Sequence, residues 1–391
     1  MTGTGGPIRV AVLGATGSIG ISALKVIRRH PDRFRVTVLT ANRSVDTLAR
    51  QAHEHAPACV VVSDDGAFSS CEENGTAWVG GRDALIDAVR RPDVDVVLNG
   101  LVGFAGLEPS LAALEAGKRL ALANKESLVT AGELMLRALA RGGGSLVPID
   151  SEHSAILQCV EGRPRSSIAR LVLTASGGPF REWAGERLRH VRPADALNHP
   201  TWDMGAKISV DSATLANKAM EVIEGHFLFG VPYEKIEVVV HPQSIVHSFV
   251  EFVDGSVVAQ LGFPTMELPI LYALTHPGRV DDPELRTFDP VRFPPLTFEE
   301  PDHERFPLLR LGYEAGRSGG TAPVTFNAAN EVAVSAFLAG EISFAGMIDV
   351  VVQTLGRSPH RGVTDLSDVL EADREARNVA RGIAAGMGSV A

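Results

Sequence analysis

The stretch LVPIDSEHSAI (146–156) follows an apolar run with five polar residues, and two of these, Asp150 and Glu152, are acids two positions apart. In an extended chain such residues point the same way. Both carboxylates would then face one side at the end of a strand. Like charges that close repel unless a cation or a proton lies between them. A third acid, Glu221, lies in VDSATLANKAMEVIEGH (210–226) beside Asn217 and Lys218, at spacings that share one helix face. Three carboxylates make an all-oxygen donor set, which suits Mg2+ or Mn2+ better than zinc. The plainer alternative is that Asp150 or Ser151 caps a helix starting near Ala155 while Glu152 is solvated. The residues alone leave both open. His153 alternates away from the two acids and reads as structural.

Three further clusters carry chemistry-bearing types. LANKESL (122–128) places Asn124, Lys125 and Glu126 just past a strand, and the Lys125 amine is suited to stabilising a developing oxyanion. TASGGPF (174–180) offers the Ser176 hydroxyl and the N–H groups of Gly177 and Gly178 to an anion. Ser212 lies near the start of a long helix expected over 213–229, whose Asn217, Lys218 and Glu221 come close on one side. HPTWDMG (199–205) combines Trp202, Met204 and Gly205 in a loop. It reads as a lid whose indole excludes water from a small polar substrate, or as a loop carrying a core tryptophan.

GATGSIG (14–20) follows the first expected strand and opens a helix. Gly14 allows the tight turn, Gly17 lets the backbone approach a pyrophosphate at the helix N-terminus, and Gly20 allows close helix packing. The second strand ends in Thr40-Ala41-Asn42-Arg43-Ser44, with no acid for a ribose 2′-OH and with an arginine that could meet a 2′-phosphate. NADPH is therefore the expected cofactor.

These residues need a frame. Over residues 8–149, runs such as IRVAVL (8–13), FRVTVL (34–39), ACVVV (58–62), VDVVLN (94–99), RLALA (119–123) and SLVPI (145–149) alternate with amphipathic helices such as Ser18–Arg29, Val45–His55 and 127–141. That alternation predicts a Rossmann-like, doubly wound parallel α/β sheet with ligands beyond the strands' carboxyl ends. After 150, ARLVLTAS, KIEVVVH and two runs joined by Asp254-Gly255 predict a second sheet with a hairpin. The expected organisation is a cofactor domain over 1–150, a central α+β catalytic and dimerising domain over 151–276 with the lid at 199–205, a proline-rich linker over 277–304, and a C-terminal helical bundle over 305–391.

Composition narrows the class. The 391 residues carry a net charge of −10, which argues against general nucleic-acid binding and leaves room for an anionic substrate only at local cationic groups. No apolar run reaches ~18 residues, so no membrane span is expected. No secretory signal precedes the first strand. Cys59, Cys71 and Cys159 have no paired spacing and read as reduced thiols, which fits a cytoplasmic enzyme.

Together, GATGSIG, LANKESLV, PIDSEHSAI, TASGGPFRE, HPTWDMGAKISVDSATLANKAMEVIE, HPQSIVHS and FNAANE resemble the 1-deoxy-D-xylulose 5-phosphate reductoisomerase family, in that family's order over nearly the whole chain. The resemblance implies rearrangement and reduction of 1-deoxy-D-xylulose 5-phosphate, a small phosphorylated sugar, to 2-C-methyl-D-erythritol 4-phosphate on the non-mevalonate route to isoprenoid precursors. It implies NADPH, a divalent cation (Mg2+, Mn2+ or Co2+) and a homodimer. The family's metal ligands fall on Asp150, Glu152 and Glu221. Its substrate contacts fall on Lys125, Ser151, Glu152, Ser176, His199, Ser212, Asn217, Lys218 and Glu221, with Trp202 and Met204 on the lid. Its NADPH contacts fall on Thr16, Gly17, Ser18, Ile19, the 42–44 turn (Asn42, Arg43, Ser44), Asn124, Glu126 and Gly205. Ala15, Ala219, Asp203, Thr265 and the 42–44 turn depart from the family's usual residues, and none of them removes an expected ligand. A semialdehyde dehydrogenase on the same fold would need a nucleophilic cysteine in a polar cluster, and an NADPH sensor would have lost the acids.

Overall fold

The computed structural model describes residues 6–64, 66, 71–73, 75–202 and 204–387. The chain forms two compact units: Met1–Ser127, Met135–Ser154 and Thr265–Arg286 make the first, and Leu128–Leu134, Ala155–Pro264 and Thr287–Ala391 the second.

The first unit is built on strands β1 (Ile8–Leu13), β2 (Phe34–Ala41), β3 (Cys59–Val62), β4 (Cys71–Glu73), β5 (Thr76–Gly80), β6 (Val96–Asn99), β7 (Arg119–Leu122) and β8 (Ser145–Pro148). Among the described residues they lie in the order β4-β5-β3-β2-β1-β6-β7-β8, all parallel except β4. The strands are apolar on both faces, with Val10 to Leu13 fully buried, as a sheet covered by helices on both sides requires. Helices α1 (Ser18–Arg29), α2 (Val45–His55), α3 (Arg82–Arg90), α4 (Leu107–Glu115), α5 (Lys125–Gly142) and α6 (Ser151–Val160) follow strands in turn. The strand order reverses at β1, between β2 and β6, so the GATGSIG turn stands at the switch point where such sheets bind dinucleotides. The short pair β4–β5 has no clear pattern in the sequence and was not expected.

Residues 265–276, expected with the central domain, pack in the first unit as helix α11 (Glu267–Thr275). Arg29 reaches Glu267 at 2.5 Å and Asp282 at 2.7 Å, and Lys25 reaches Glu267 at 2.6 Å. This half-buried ion network ties the segment to α1, and burial makes the loss of either partner costly.

The second unit holds β9 (Ile168–Ala175), β10 (Ile236–Val240), β11 (Val246–Phe252) and β12 (Val257–Leu261), in the order β10-β9-β11-β12. The β11–β12 hairpin turns at Asp254-Gly255, where Gly255 takes the positive φ of +83°. Its helices are α7 (Gly185–Leu188), α8 (Pro193–Leu197), α9 (Ala206–Ala213), α10 (Ala216–Phe229), α12 (Leu308–Ser318), α13 (Ala322–Leu338), α14 (Phe344–Arg357) and α15 (Leu366–Gly386). The C-terminal helices share one core with the sheet and α10, in which Phe180, Phe326, Phe337 and Phe344 are fully buried.

Two local expectations are corrected. The helix expected over 213–229 is α10, starting at Ala216, but Ser212, expected near its start, belongs to a separate helix, α9, because Leu215 turns the chain at φ +60° and the Thr214 hydroxyl accepts the Ala216 N–H at 3.3 Å. Ser212 therefore lies in the last turn of α9. Asp150 and Glu152 are not alternate positions of an extended segment. Helix α6 starts at Ser151, with the Ser154 N–H bonded to the Asp150 carbonyl at 2.8 Å. Asp150 is thus the last residue before the helix, and Glu152 sits in its first turn.

Candidate functional site

In the first unit, the turn after β1 is shaped for close backbone approach. Gly14 has φ +75° and faces the Gly100 carbonyl, where a side-chain carbon would come within 2.9 Å. A side-chain carbon on Gly20 would lie 2.4 Å from the Gly14 carbonyl oxygen, so only glycine lets α1 pack so close. The Thr40 hydroxyl accepts the Gly14 N–H at 3.1 Å. Gly17 caps α1 with no side-chain bond, and Gly17 and Ser18 are exposed while Thr16 and Ile19 are half-buried. That leaves the first N–H groups of a three-turn helix open, the arrangement that receives a phosphate.

The 42–44 turn after β2 is exposed. Arg43 donates Nε–H to the Asp64 Oδ2 at 2.5 Å, and its side chain is 77% exposed. Asp64 occupies only the inner edge of the guanidinium and holds its charge in place, raising the Arg43 pKa. The terminal nitrogens have no partner among the described residues. Asp64 follows β3, and sequence reasoning missed it; an acid shortly after the strand next to β2 was the available signal.

Past β7, Asn124 caps α5. Its Oδ1 accepts the Ser127 N–H at 3.2 Å, and its amide donates to the Leu101 and Gly103 carbonyls at 2.8 Å each and to Glu126 at 3.2 Å. The side chain is buried and its hydrogen-bonding capacity largely used in holding the 101–103 loop. Lys125 is buried at the start of α5 and forms an ion pair with Asp150. Ser151 donates its hydroxyl to Glu152 Oε2 at 2.6 Å. One strand end and one helix start therefore bring Lys125, Asp150, Ser151 and Glu152 into one polar cluster, with His153 fully buried next in the helix.

In the second unit, Ser176 follows β9. His199 Nδ1 accepts the backbone N–H groups of Thr201 and Trp202 at 3.1 and 3.0 Å, so its proton belongs on Nε2. Nε2–H then donates to Ser176 Oγ at 2.9 Å, and the Gly178 N–H donates to the same oxygen at 3.2 Å. With two donors aimed at Oγ, the Ser176 hydroxyl proton is left for an outside acceptor. Burial lowers the His199 pKa, which keeps the ring neutral. A side-chain carbon on Gly178 would meet the Ser212 carbonyl at 2.7 Å, so the glycine loop lies against the end of α9. On α10, Glu221 pairs with Lys218 and accepts from Asn217 Nδ2 at 2.6 Å. Glu221 and Lys218 are buried and Asn217 half-buried. The indole of Trp202 packs against His247 at 6.4 Å between centroids and is half-buried. Met204 is half-buried and Gly205 is exposed at the start of α9. Asp203 lies outside the described residues.

Each unit thus presents carboxylates already faced by donors: Asp150 and Glu152 in the first, Glu221 in the second. Oxygen donors of this kind fit a hard divalent cation, which would replace the ammonium and amide partners they hold. Cys59 and Cys159 are buried, and burial raises both thiol pKa values, Cys159 to about 11. Neither is suited to act as a nucleophile.

Family models match along the chain. The 1-deoxy-D-xylulose 5-phosphate reductoisomerase model covers residues 10–132, its C-terminal domain model 146–229, and a DXP reductoisomerase C-terminal domain model 261–379. A relative from Symbiobacterium thermophilum, 1-deoxy-D-xylulose 5-phosphate reductoisomerase, is 51% identical over 95% of this chain and 97% of its own. The solved structure of the Zymomonas mobilis reductoisomerase in complex with NADPH is similar with a TM-score of 0.88 and 42% identity, covering 97% of this chain and 99% of that one. A DOX-P reductoisomerase solved with NADPH, fosmidomycin and magnesium gives 0.89 and 38%, covering 96% and 98%. Matched by its family's models over most of its length and by a relative at this identity, the chain belongs to the 1-deoxy-D-xylulose 5-phosphate reductoisomerase family.

Proposed function

We propose that this chain rearranges and reduces 1-deoxy-D-xylulose 5-phosphate to 2-C-methyl-D-erythritol 4-phosphate with NADPH and a divalent cation. The observation that carries the reading is the bonding of Glu221 to both Lys218 and Asn217, which sets a metal-type ligand beside two phosphate-type donors. Asp150, Glu152 and Glu221 would hold the cation, and relatives solved with magnesium support an oxygen-ligand ion. When bound, the cation supplies Lewis acidity to the vicinal ketone and hydroxyl oxygens, and NADPH the reducing equivalents.

The chain's own groups do the rest. Ser176, with its proton turned outward by His199 and Gly178, joins Ser212, Asn217 and Lys218 in gripping the phosphate. That grip positions the reacting carbons. Lys125 keeps a positive charge at the oxygen where negative charge grows during rearrangement. The turn at 14–19 would take the pyrophosphate, and Arg43 the 2′-phosphate. The Trp202 indole would cover the substrate and exclude water. Cation, cofactor and sugar phosphate are all required in this account. NADPH oxidation should therefore proceed with the deoxyxylulose phosphate plus Mg2+ or Mn2+ and stop when either is withheld; equal rates after metal chelation would refute the reading.

A homodimer through the second unit's sheet is part of the proposal. Glu299 pairs with Val240 in both directions, covering the β10 edge. The β12 edge has no partner strand among the described residues, and exposed Val253, Val257, Phe288 and Val291 lie on this unit. An uncovered edge with exposed apolar groups is what a second copy would cover. Val257→Lys should yield a monomer by light scattering; an unchanged dimer mass would place the interface elsewhere. A cytoplasmic location is proposed on the buried, free thiols Cys59 and Cys159.

A further inference from the structure

The FNAANE segment of α13 has no role in the site as described, yet it reaches the helix that carries Ser212. Asn330 donates Nδ2–H to Asp211 Oδ1 at 2.7 Å, across 119 positions of sequence. Lys207 holds the other oxygen of Asp211 at 2.8 Å. Asp211 is 1% exposed and Asn330 2%. A buried carboxylate is costly to strand, so its donors fix where it sits. Asp211 immediately precedes Ser212 in the last turn of α9. One residue beyond that turn, Thr214 accepts the Ala216 N–H and Leu215 takes its strained left-handed conformation. The corner so formed sets the angle between α9, with Ser212, and α10, with Asn217 and Lys218. The same corner faces Gly178, whose loop carries Ser176. α13 is in turn anchored to α15 through Arg377 of α15, bonded to Glu331 of α13 at 2.7 Å and held in place by Asp373 one turn earlier on α15 at 2.7 Å.

We infer that Asn330 and Asp211 are a positioning pair for the phosphate cradle: α13 locks the end of α9 so that Ser212 meets the substrate phosphate together with Ser176, Asn217 and Lys218. The C-terminal helices then serve substrate recognition as well as the core. The inference rests on the phosphate reading of Ser212 above.

The test compares Asn330→Ala, Asn330→Ser, the exchanged pair Asp211→Asn/Asn330→Asp, and Ser212→Ala as reference. For each, KM and kcat are measured with 1-deoxy-D-xylulose 5-phosphate, the inhibition constant with inorganic phosphate, and Kd with NADPH, whose site lies in the other unit. Asn330→Ala should raise KM and the phosphate inhibition constant about tenfold, with kcat changed less than about threefold and the NADPH Kd unchanged. Asn330→Ser, which keeps a small polar group, should fall between wild type and Asn330→Ala, and it serves if the alanine variant folds poorly. The exchanged pair keeps an amide facing a carboxylate and should recover most of the lost phosphate affinity. If Ser212→Ala raises KM while both Asn330 variants leave it unchanged, the inference is overturned and the pair only supports the fold. If Ser212→Ala itself leaves KM unchanged, the phosphate reading falls and takes the inference with it.

Discussion

At the scale of single residues, the account turns on charges held in place by one or two neighbours. Arg43 is gripped by Asp64 at its inner edge, so its outer nitrogens are directed before any cofactor arrives. Arg43→Ala should weaken NADPH binding about fivefold to tenfold and NADH binding little, since one exposed charge contact is worth about 1 kcal/mol. Fluorescence titration with both cofactors checks this, and equal losses would remove Arg43 from the 2′-phosphate site. His247 offers a pH test. Burial pushes its pKa from the usual 6.5 down to about 4. Between those values the unfolded chain binds a proton that the folded chain refuses. Stability should therefore fall as pH drops from about 6.5 towards 4, with no contribution above that range, and the full effect is on the order of 3 kcal/mol. His199 and His241 are shifted down by burial too and add in the same direction. Melting curves across that range should be flatter for His247→Asn than for wild type; parallel curves would contradict it. The residue types at these positions were legible in the sequence. Their partners were not: Asp64 and Asp211 are ordinary acids until the fold sets one beside Arg43 and buries the other.

At the scale of elements, hydrophobic period and punctuation carried most of the reading. Every strand named from β-branched runs is present within a residue or two, because a strand covered on both faces has to be apolar throughout. The misses lie where tertiary contacts overrule local preference. SATLAN contains no glycine or proline to mark a break, yet Leu215 turns the chain between α9 and α10. DSEHSAI has good helix formers after its acid, and the helix starts four residues earlier than the capping alternative placed it. The Trp202 segment is proposed to be functional without being core. Its indole is half-buried on His247, and its backbone N–H orients His199. Trp202→Ala should lower kcat/KM at least about tenfold while shifting Tm by no more than about 2 °C. A loss of ~3–5 kcal/mol, as for a buried aromatic, would show the residue to be core instead.

At the scale of the whole molecule, the sequence changes pattern near residue 150, where alternating strand and helix gives way to hairpin and helix. The interleaving was not legible: residues 265–286 return to the first unit, held by Arg29 and Lys25, and no local signal marks such a return. The net charge of −10 is consistent with the proposed anionic ligands because the cations offered to them are few and local: Lys125 and Lys218 for the substrate, Arg43 for the cofactor. The central proposal is that Asp150, Glu152 and Glu221 serve one divalent cation. Mn2+ titration of wild type and Glu152→Gln, following activity and melting temperature together, tests it most directly. The account predicts that Glu152→Gln needs at least about tenfold more Mn2+ for its remaining activity, gains less in Tm from the metal, and melts no lower than wild type without it. The same Mn2+ dependence in both proteins, with a lower Tm at every metal concentration, would contradict it.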